Sequence, residues 1–498
     1  MKWKWLSMAK GYVDRSDPKI WMLVFPTFYL AVFLITSLLR VGFPYQLSWL
    51  EGAMVDNARW ILSGNPLYGP PSVDFTPFFY PPLFSYISAF FMKLLGANIL
   101  IPRLVSLVSS LLVLLLIWRL VKYETGSNFY ALTAAGFYAS FYAFVRCFYD
   151  MARVDALFVF LLFLGVYILR TSKKPYGIYL SAFVFYLAIF TKQQALVVVV
   201  LLGLVLLREN IKKFFKFTIT FSLLCFFTFL YFQQASDGWF LFYIYTFPRS
   251  HGFVGFLVPL IFRDLLLNAP VLLLMAPYLF FKPGKENSGF RSQRRFYLAF
   301  FISTFAISWM SRAHPGGAEN VLMPVLLSLS ILGAISLWHF EQDIRVANKW
   351  GTYFVTLLIA CQFLFVIYNP LPVIPNKEHY RWNKKFVDLI GNFKGEVLVT
   401  QFGYIPILAG KKTHTHKTAI DFSLSGENVS REARQIINRE FRRAIRQKQF
   451  SAIILRNKDV FFLQKMKDYY KWKSRFVIPI PLVLHGVMHT YFEVYVPK

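Results

Sequence analysis

Apolar blocks separated by short polar clusters run through the first three quarters of the chain. They fall at 20–40, 99–121, 129–146, 154–171, 176–190, 195–208, 217–233, 268–282, 296–310, 320–338 and 351–369. Blocks of this length predict about eleven membrane-spanning helices, since a crossing takes roughly 20 apolar residues. The stretch Ile178 to Leu207 is short for two full crossings, and one long helix is the rival. Its flanks, SKKPYG and RENIKKFFK, are both basic. Basic loops collect on the cytoplasmic side, so a short hairpin with TKQQ at its tip is expected, with Lys192 slightly below the outer surface.

The pattern changes near Asn376. GEVLVTQ and FSAIIL are compact apolar runs that predict buried strands, and SREARQIINREFRRAIRQKQ has the period of an amphipathic helix. The expected division is therefore a helical membrane domain over 1–369 and a small α/β domain over 370–498. In the first long loop, Val41 to Asn98, Ser48-Trp49-Leu50-Glu51 fits a capping box ahead of an amphipathic stretch ending at Ser63-Gly64-Asn65-Pro66. A second helix is expected from Tyr80-Pro81-Pro82 to Gly96. Two such helices lying in the interface would frame a groove for a lipid chain.

Composition agrees with a polytopic membrane protein: 56% of the 498 residues are hydrophobic, and the mean hydropathy is +0.47. The formal charge of +29 raises nucleic acid as a partner, but the lysines and arginines sit between apolar blocks, at Lys122, Lys173–Lys174, Arg208 to Lys216, Lys282 to Arg295 and Arg345 to Lys349. With a cytoplasmic N-terminus every cluster lands inside, so topology explains the charge and nucleic acid is excluded. The tail domain is then extracytoplasmic. The apolar run Ile20 to Leu39 is too long for a cleaved signal and lacks its small-residue exit. Cys147, Cys225 and Cys361 are scattered and suggest neither a disulfide framework nor a zinc site.

Acidic residues gather where apolar blocks surface on the outer side: Glu51 in the first loop, Asp150 and Asp155 in FYDMARVDALF. A carboxylate at a bilayer edge costs desolvation free energy, and two charged loops converging on one face suggest an acidic site. Helix capping is the ordinary role for Glu51, and Asp150 with Arg153 reads as a loop-holding pair. Asp155 opens a span, where the helix dipole favours an anion. Lys192, Arg249 and Arg312 are outward-facing cations able to stabilise a phosphate, although lysine and arginine at helix ends commonly only snorkel to headgroups. Gly316-Gly317 adds backbone N–H groups. His251 and His314 lie in outer loops. Either could join Glu51 or Asp155 around a divalent metal, and a lone loop histidine is more often simply solvated.

The order of these features, namely the first span, the acidic outer loop, YPPLF, RVD and TKQQ, with an echo in SRAHPGGAEN, resembles the GT-C superfamily of lipid-dependent glycosyltransferases. The likeness is nearest to glycosyltransferase family 39, with protein O-mannosyltransferases and the aminoarabinose transferase of lipid A as relatives, and covers roughly the first 210 residues. It implies transfer of a sugar from a polyprenyl-phosphate donor to an extracytoplasmic glycan, lipid or protein acceptor, with inversion, in the cell (inner) membrane. The first-loop acid, as general base, maps onto Glu51. Relatives often carry Asp-Glu where this chain has Leu50-Glu51, which leaves Asp56 as a stand-in. The second-loop acid maps onto Asp155, with Asp150, Arg153, Lys192, Arg249, Arg312 and His314 around the substrate. Relatives divide between those that hold a divalent ion and those that do not, so no cofactor is firmly implied. A transporter or flippase of lipid-linked substrates is the rival class, but neither repeated halves nor a midplane helix break is evident. A glycan-binding receptor would leave the acidic rim unexplained.

Overall fold

The computed structural model describes residues 18–249, 252–282, 288–347, 350–425, 431–456, 460–486 and 490–498. Its membrane part is a bundle of apolar helices. Five segments are each long and apolar enough to cross a bilayer: Pro18–Val41, Leu100–Thr125, Val154–Thr171, Ile211–Ala235 and Glu319–Ile344. Leucine, phenylalanine and valine face lipid all around the bundle, while serines and threonines on the inner faces return their hydroxyls to carbonyls one turn back, as Ser109 does to Val105 and Ser330 to Leu326. The doubtful stretch is two helices, Gly177–Ile189 and Ala195–Glu209, broken at Phe190–Gln194. Gly177 and Ile178 at the start of the first line the same cavity as Val205 to Asn210 at the end of the second, which is the geometry of a hairpin.

Two expected spans need correction. The helix from Asn128 ends at Ser140 rather than Arg146, because the chain reverses through Arg146 and Cys147, at φ 54° and 59°. The block at 268–282 is bent: the pair Gly255–Asn268 and Pro270–Phe281 meets at 97°. Pro270 and Pro277 supply no N–H to the preceding turn, so a continuous helix is not available there.

The C-terminal sheet has the order β1-β2-β4-β3, with β1 Glu396–Val399, β2 Phe450–Leu455, β3 Tyr470–Val477 and β4 Tyr491–Pro497. β1 and β2 are parallel and the other pairings antiparallel. Alternate residues separate its two faces. Leu398, Ile453 and Leu455 pack on Ile437 and Phe441 of the Arg431–Arg446 helix, and Val397, Val399 and Ile454 pack on Phe386 and Ile390 of the Lys377–Gly391 helix.

This domain is knitted to the first long loop. Gly52 and Gly403 approach so closely that a Cβ on Gly52 would lie 2.7 Å from the Gly403 and Tyr404 nitrogens. Tyr404 N–H donates to Gln46 Oε1 at 3.1 Å, and the Leu484 and His485 N–H groups donate to the Leu47 carbonyl. Helix Glu51–Leu62 also packs directly on helix Leu83–Leu95, through Val55, Ala58, Ala89 and Met92. The space between these two helices, where a lipid groove was expected, is filled by these side chains.

Candidate functional site

Glu51 is wholly buried at the first turn of its helix. Arg103, from the start of Leu100–Thr125, donates Nε to Oε1 at 2.9 Å and Nη2 to Oε2 at 2.8 Å. The N–H groups of Leu47 and Ala152 add bonds of 2.6 and 2.9 Å, and that of Ser48 one of 3.4 Å. The Ser48 bond is the glutamate half of a capping box; the N-cap itself is Leu50, without a side-chain bond. Burial alone would raise this carboxyl, but Arg103 and the backbone donors bring it below the usual carboxylate range. With five donors on two oxygens, Glu51 has no lone pair left for a substrate hydroxyl. The general-base expectation is corrected: Glu51 clamps the first loop to the second.

Asp150 is equally committed. Arg40 Nε reaches its Oδ2 at 2.9 Å and Tyr142 Oη donates to the same oxygen at 2.6 Å, all three groups being buried. Asp150 therefore pairs across the bundle with Arg40 rather than with Arg153, and is out of reach of a substrate.

Arg153 instead turns toward Asp155. Both are buried, with Arg153 Nε 3.9 Å from Asp155 Oδ2. Three rings, Phe78, Tyr80 and Phe148, surround the guanidinium at 5.5 to 5.8 Å, and Nη2 meets Tyr80 Oη at 3.2 Å. Its Nε and Nη1 find no hydrogen-bond partner among the described residues, nor does Asp155 Oδ2. Lys192 Nζ lies 2.8 Å from Asp155 Oδ1, and Asn320 Nδ2 lies 3.1 Å from the same oxygen. Lys192 is only 7% exposed, so it faces the protein rather than snorkelling to the surface. Two cations thus flank one carboxylate at the dipole-positive end of Val154–Thr171, with donors left unspent.

Asp56 sits one turn beyond Glu51, on the wall of a cavity of about 190 Å³ between the first-loop helix and the segment Lys411 to His416. Its Oδ1 is buried without a hydrogen-bond partner among the described residues. Burial pushes this carboxyl well above the usual range, against the opposing pull of Arg59 and Thr413.

The remaining expected residues fall elsewhere. Arg312 is buried and spent, with Nε on Asp264 Oδ2 at 2.9 Å, Nη1 on the Gly317 carbonyl and Nη2 3.6 Å from Glu319. It is corrected from a phosphate ligand to a structural cation. The Gly317 carbonyl thereby faces a guanidinium, and Gly317 N–H is used on the His314 carbonyl. Arg249 is exposed and bonds Tyr245 Oη at 3.0 Å. His314 lies against Phe253, with ring centroids 4.6 Å apart and the rings tilted by 31°. His251 lies outside the described residues. Among the described residues no three His, Cys, Asp or Glu side chains converge as metal ligands.

Sequence reasoning missed Arg103, Tyr80, Asn320 and Asp264. Arg103 carried a signal: an arginine inside an apolar block needs a buried anion, and Glu51 was the acid on the adjoining loop. Asn320 lies 165 residues from Asp155 and Asp264 lies 48 residues from Arg312, on separate helices, and no local pattern marks them.

Residues 80–232 match the family model described as dolichyl-phosphate-mannose-protein mannosyltransferase. The matched region holds Arg153, Asp155 and Lys192 and begins after Glu51 and Asp56. In fold, the chain is similar to the crystal structure of ArnT from Cupriavidus metallidurans in the apo state, with a TM-score of 0.60 and 12% identity over 96% of this chain and 98% of that one. It is similar also to the structure of the same protein bound to undecaprenyl phosphate, with a TM-score of 0.61 and 13% identity over 95% and 98%. No curated protein matches the chain. The polytopic helical bundle, its juxtamembrane helices and the small C-terminal sheet are the GT-C fold that the sequence suggested.

Proposed function

We infer that this GT-C membrane glycosyltransferase moves a sugar from a polyprenyl-phosphate carrier to a glycan, lipid or protein hydroxyl on the extracytoplasmic face of the cell membrane. The observation that carries the reading is the Arg153–Asp155–Lys192 cluster: two buried cations beside one carboxylate, with two guanidinium N–H groups uncommitted among the described residues. Unspent buried donors are costly unless a ligand completes them, and a phosphate is the group whose oxygens match them. The likeness in fold to a protein captured with undecaprenyl phosphate supports the same choice.

The chemistry follows from the geometry. Arg153, surrounded by three rings, has donors on Nε and Nη1 open to a phosphate oxygen, and Lys192 adds a point charge. As the glycosidic C–O bond breaks, negative charge grows on the leaving phosphate, and these fixed cations stabilise it without a proton donor. When Lys192 turns to the phosphate, Asp155 loses its nearest cation and its Oδ2, the oxygen that Asn320 does not hold, accepts the proton of the attacking hydroxyl. Attack from the side opposite the phosphate inverts the anomeric centre. Asn320 holds Asp155 in register throughout.

The test is consumption of labelled polyprenyl-phosphate sugar by purified protein. Asp155→Asn should cut turnover by about 10²-fold or more while donor still binds. A transporter would move the carrier and leave its sugar bond intact. Sidedness is tested separately, with a cysteine placed at exposed Lys471: labelling by an impermeant reagent in intact cells is expected. Protection until the membrane is opened would reverse the orientation.

A further inference from the structure

The cavity beside Asp56 is not used by the phosphate cluster. One wall is the Glu51–Leu62 helix, which contributes Asp56, Arg59 and Trp60, and the other is the Lys411–His416 segment of the C-terminal domain. Phe78 is shared with the cluster: its ring lines the cavity and lies 5.7 Å from the Arg153 guanidinium. A ligand here therefore sits about one ring's breadth from the phosphate position.

The segment that closes the cavity is held firmly. Thr415 N–H bonds the Val73 carbonyl at 2.9 Å and its hydroxyl bonds the Ser72 carbonyl at 2.6 Å. His416 accepts from Thr418 N–H on Nδ1 and so donates from Nε2, to the Gln401 and Trp49 carbonyls at 2.9 and 3.2 Å. His416 is thus a fully used neutral clamp, and burial holds its basicity down to about 4. Lys412 pairs with Asp74 at 2.9 Å, and Lys411 reaches the Phe393 carbonyl. What remains for a ligand, among the described residues, is Asp56 Oδ1 and the two ring nitrogens of His414, none of which has a hydrogen-bond partner, with Arg59 and Thr413, whose hydroxyl also bonds Asp56, on the lining and Trp60 stacked on Phe75 at 4.5 Å as an apolar wall.

We propose that this cavity is a saccharide subsite for one pyranose ring, in which Asp56 and Thr413 bond ring hydroxyls, Arg59 adds donors and the Trp60–Phe75 wall takes the apolar face. Both an acceptor and donors are needed by a hydroxylated ring, and a buried polar atom left without a partner costs free energy that such a ligand recovers. A volume of about 190 Å³ exceeds the ~30 Å³ share of a single water several-fold and falls below the 300 Å³ at which drug-sized ligands begin. That is the scale of one pyranose ring. The ring comes either from the donor, whose anomeric carbon hangs on the phosphate at Arg153, or from the terminal sugar of the acceptor. The proposal rests on the phosphate reading above, and it gives the C-terminal domain a direct part in substrate selection.

The test compares wild type, Asp56→Asn and Thr413→Val, each checked for unchanged thermal unfolding in detergent. The first probes are undecaprenyl phosphate and undecaprenyl phosphates bearing glucose, mannose, galactose or N-acetylglucosamine. The second are the matching methyl pyranosides, followed by saturation-transfer NMR with the carrier site filled by undecaprenyl phosphate. If the donor sugar occupies the cavity, wild type prefers one sugar-bearing carrier over the bare one, and both variants lose that preference by tenfold or more while binding the bare carrier unchanged. If the acceptor sugar occupies it, carrier affinities stay level and the pyranoside signal of wild type disappears in the variants. Saccharide binding that is absent in wild type, or indifferent to both substitutions, overturns the subsite. Failure of wild type to bind undecaprenyl phosphate at all would instead overturn the phosphate reading.

Discussion

Arg103 holds Glu51 with two hydrogen bonds, and the second oxygen-bound backbone donor, Ala152, lies three residues before Asp155. One buried ion pair thus ties the first loop, the start of Leu100–Thr125 and the second loop into a single block. Nη1 and Nη2 of the same arginine also reach the Phe43 and Tyr45 carbonyls, at 2.5 and 2.6 Å. Glu51 therefore acts by fixing where Arg153 and Asp155 stand.

Removing one partner of such a pair leaves an uncompensated buried charge, which costs about 3–5 kcal/mol. Arg103→Ala should lower stability by that order, seen as a large drop in unfolding temperature in detergent and loss of detergent-stable protein. Glu51→Gln keeps the shape but strands Arg103 in the same way, so its activity loss should track its stability loss. A Glu51→Gln protein that unfolds like wild type yet turns over 10²-fold more slowly would restore Glu51 as a base.

Lys192→Ala removes one charge-assisted contact to the carrier phosphate, worth about 1.5–3 kcal/mol. Undecaprenyl phosphate should then bind roughly 10- to 100-fold more weakly. Lys192→Arg should recover part of the affinity. Equal affinity in all three proteins would leave the phosphate to Arg153 alone.

Arg312 sits between Asp264 and Glu319, and Glu319 precedes the asparagine that bonds Asp155. Asp264→Asn should loosen Arg312 and, through it, Asn320. The expected result is a kcat reduced about tenfold, the loss of one well-placed bond, with carrier affinity unchanged. A change in carrier affinity with kcat preserved would make Arg312 a phosphate ligand after all.

Apolar blocks fix helices wherever they are long, which is why most expected spans coincide with helices and why the TKQQ hairpin was readable from its basic flanks. They say little where proline or a left-handed turn interrupts them, as at Pro270 and at Arg146–Cys147. In the tail, the apolar runs of β1 and β2 stood out. β3 did not, because its outward residues, among them Lys471, Trp472 and Lys473, leave almost no apolar side. The candidate site was half legible. Asp155, Arg153 and Lys192 announced themselves as charges at the ends of apolar blocks. Which acids were free and which were spent depended on Arg40 and Arg103, and pairing across a bundle is a matter of packing, not of spacing.

Asp56 offers a prediction with a defined sign. Its carboxyl is raised by burial, so the folded state holds a proton there that the unfolded chain releases above about pH 4. A raised carboxyl contributes stability at low pH, fully present below the unfolded value and lost as pH rises through the folded one. Wild type should therefore become less stable toward alkaline pH. Asp56→Asn, which cannot ionise, should flatten that part of the profile. The opposite slope comes from Glu51, whose lowered carboxyl gives stability above the unfolded value and loses it as acid protonates the Arg103 pair. Unfolding temperatures from pH 2 to 9 separate the two, since the Glu51 loss falls below about pH 4 and Asp56→Asn alters only the profile above it. A profile in which wild type and Asp56→Asn run parallel throughout would mean that Asp56 is ionised in the fold, and that the cavity beside it presents a fixed negative charge to whatever it binds.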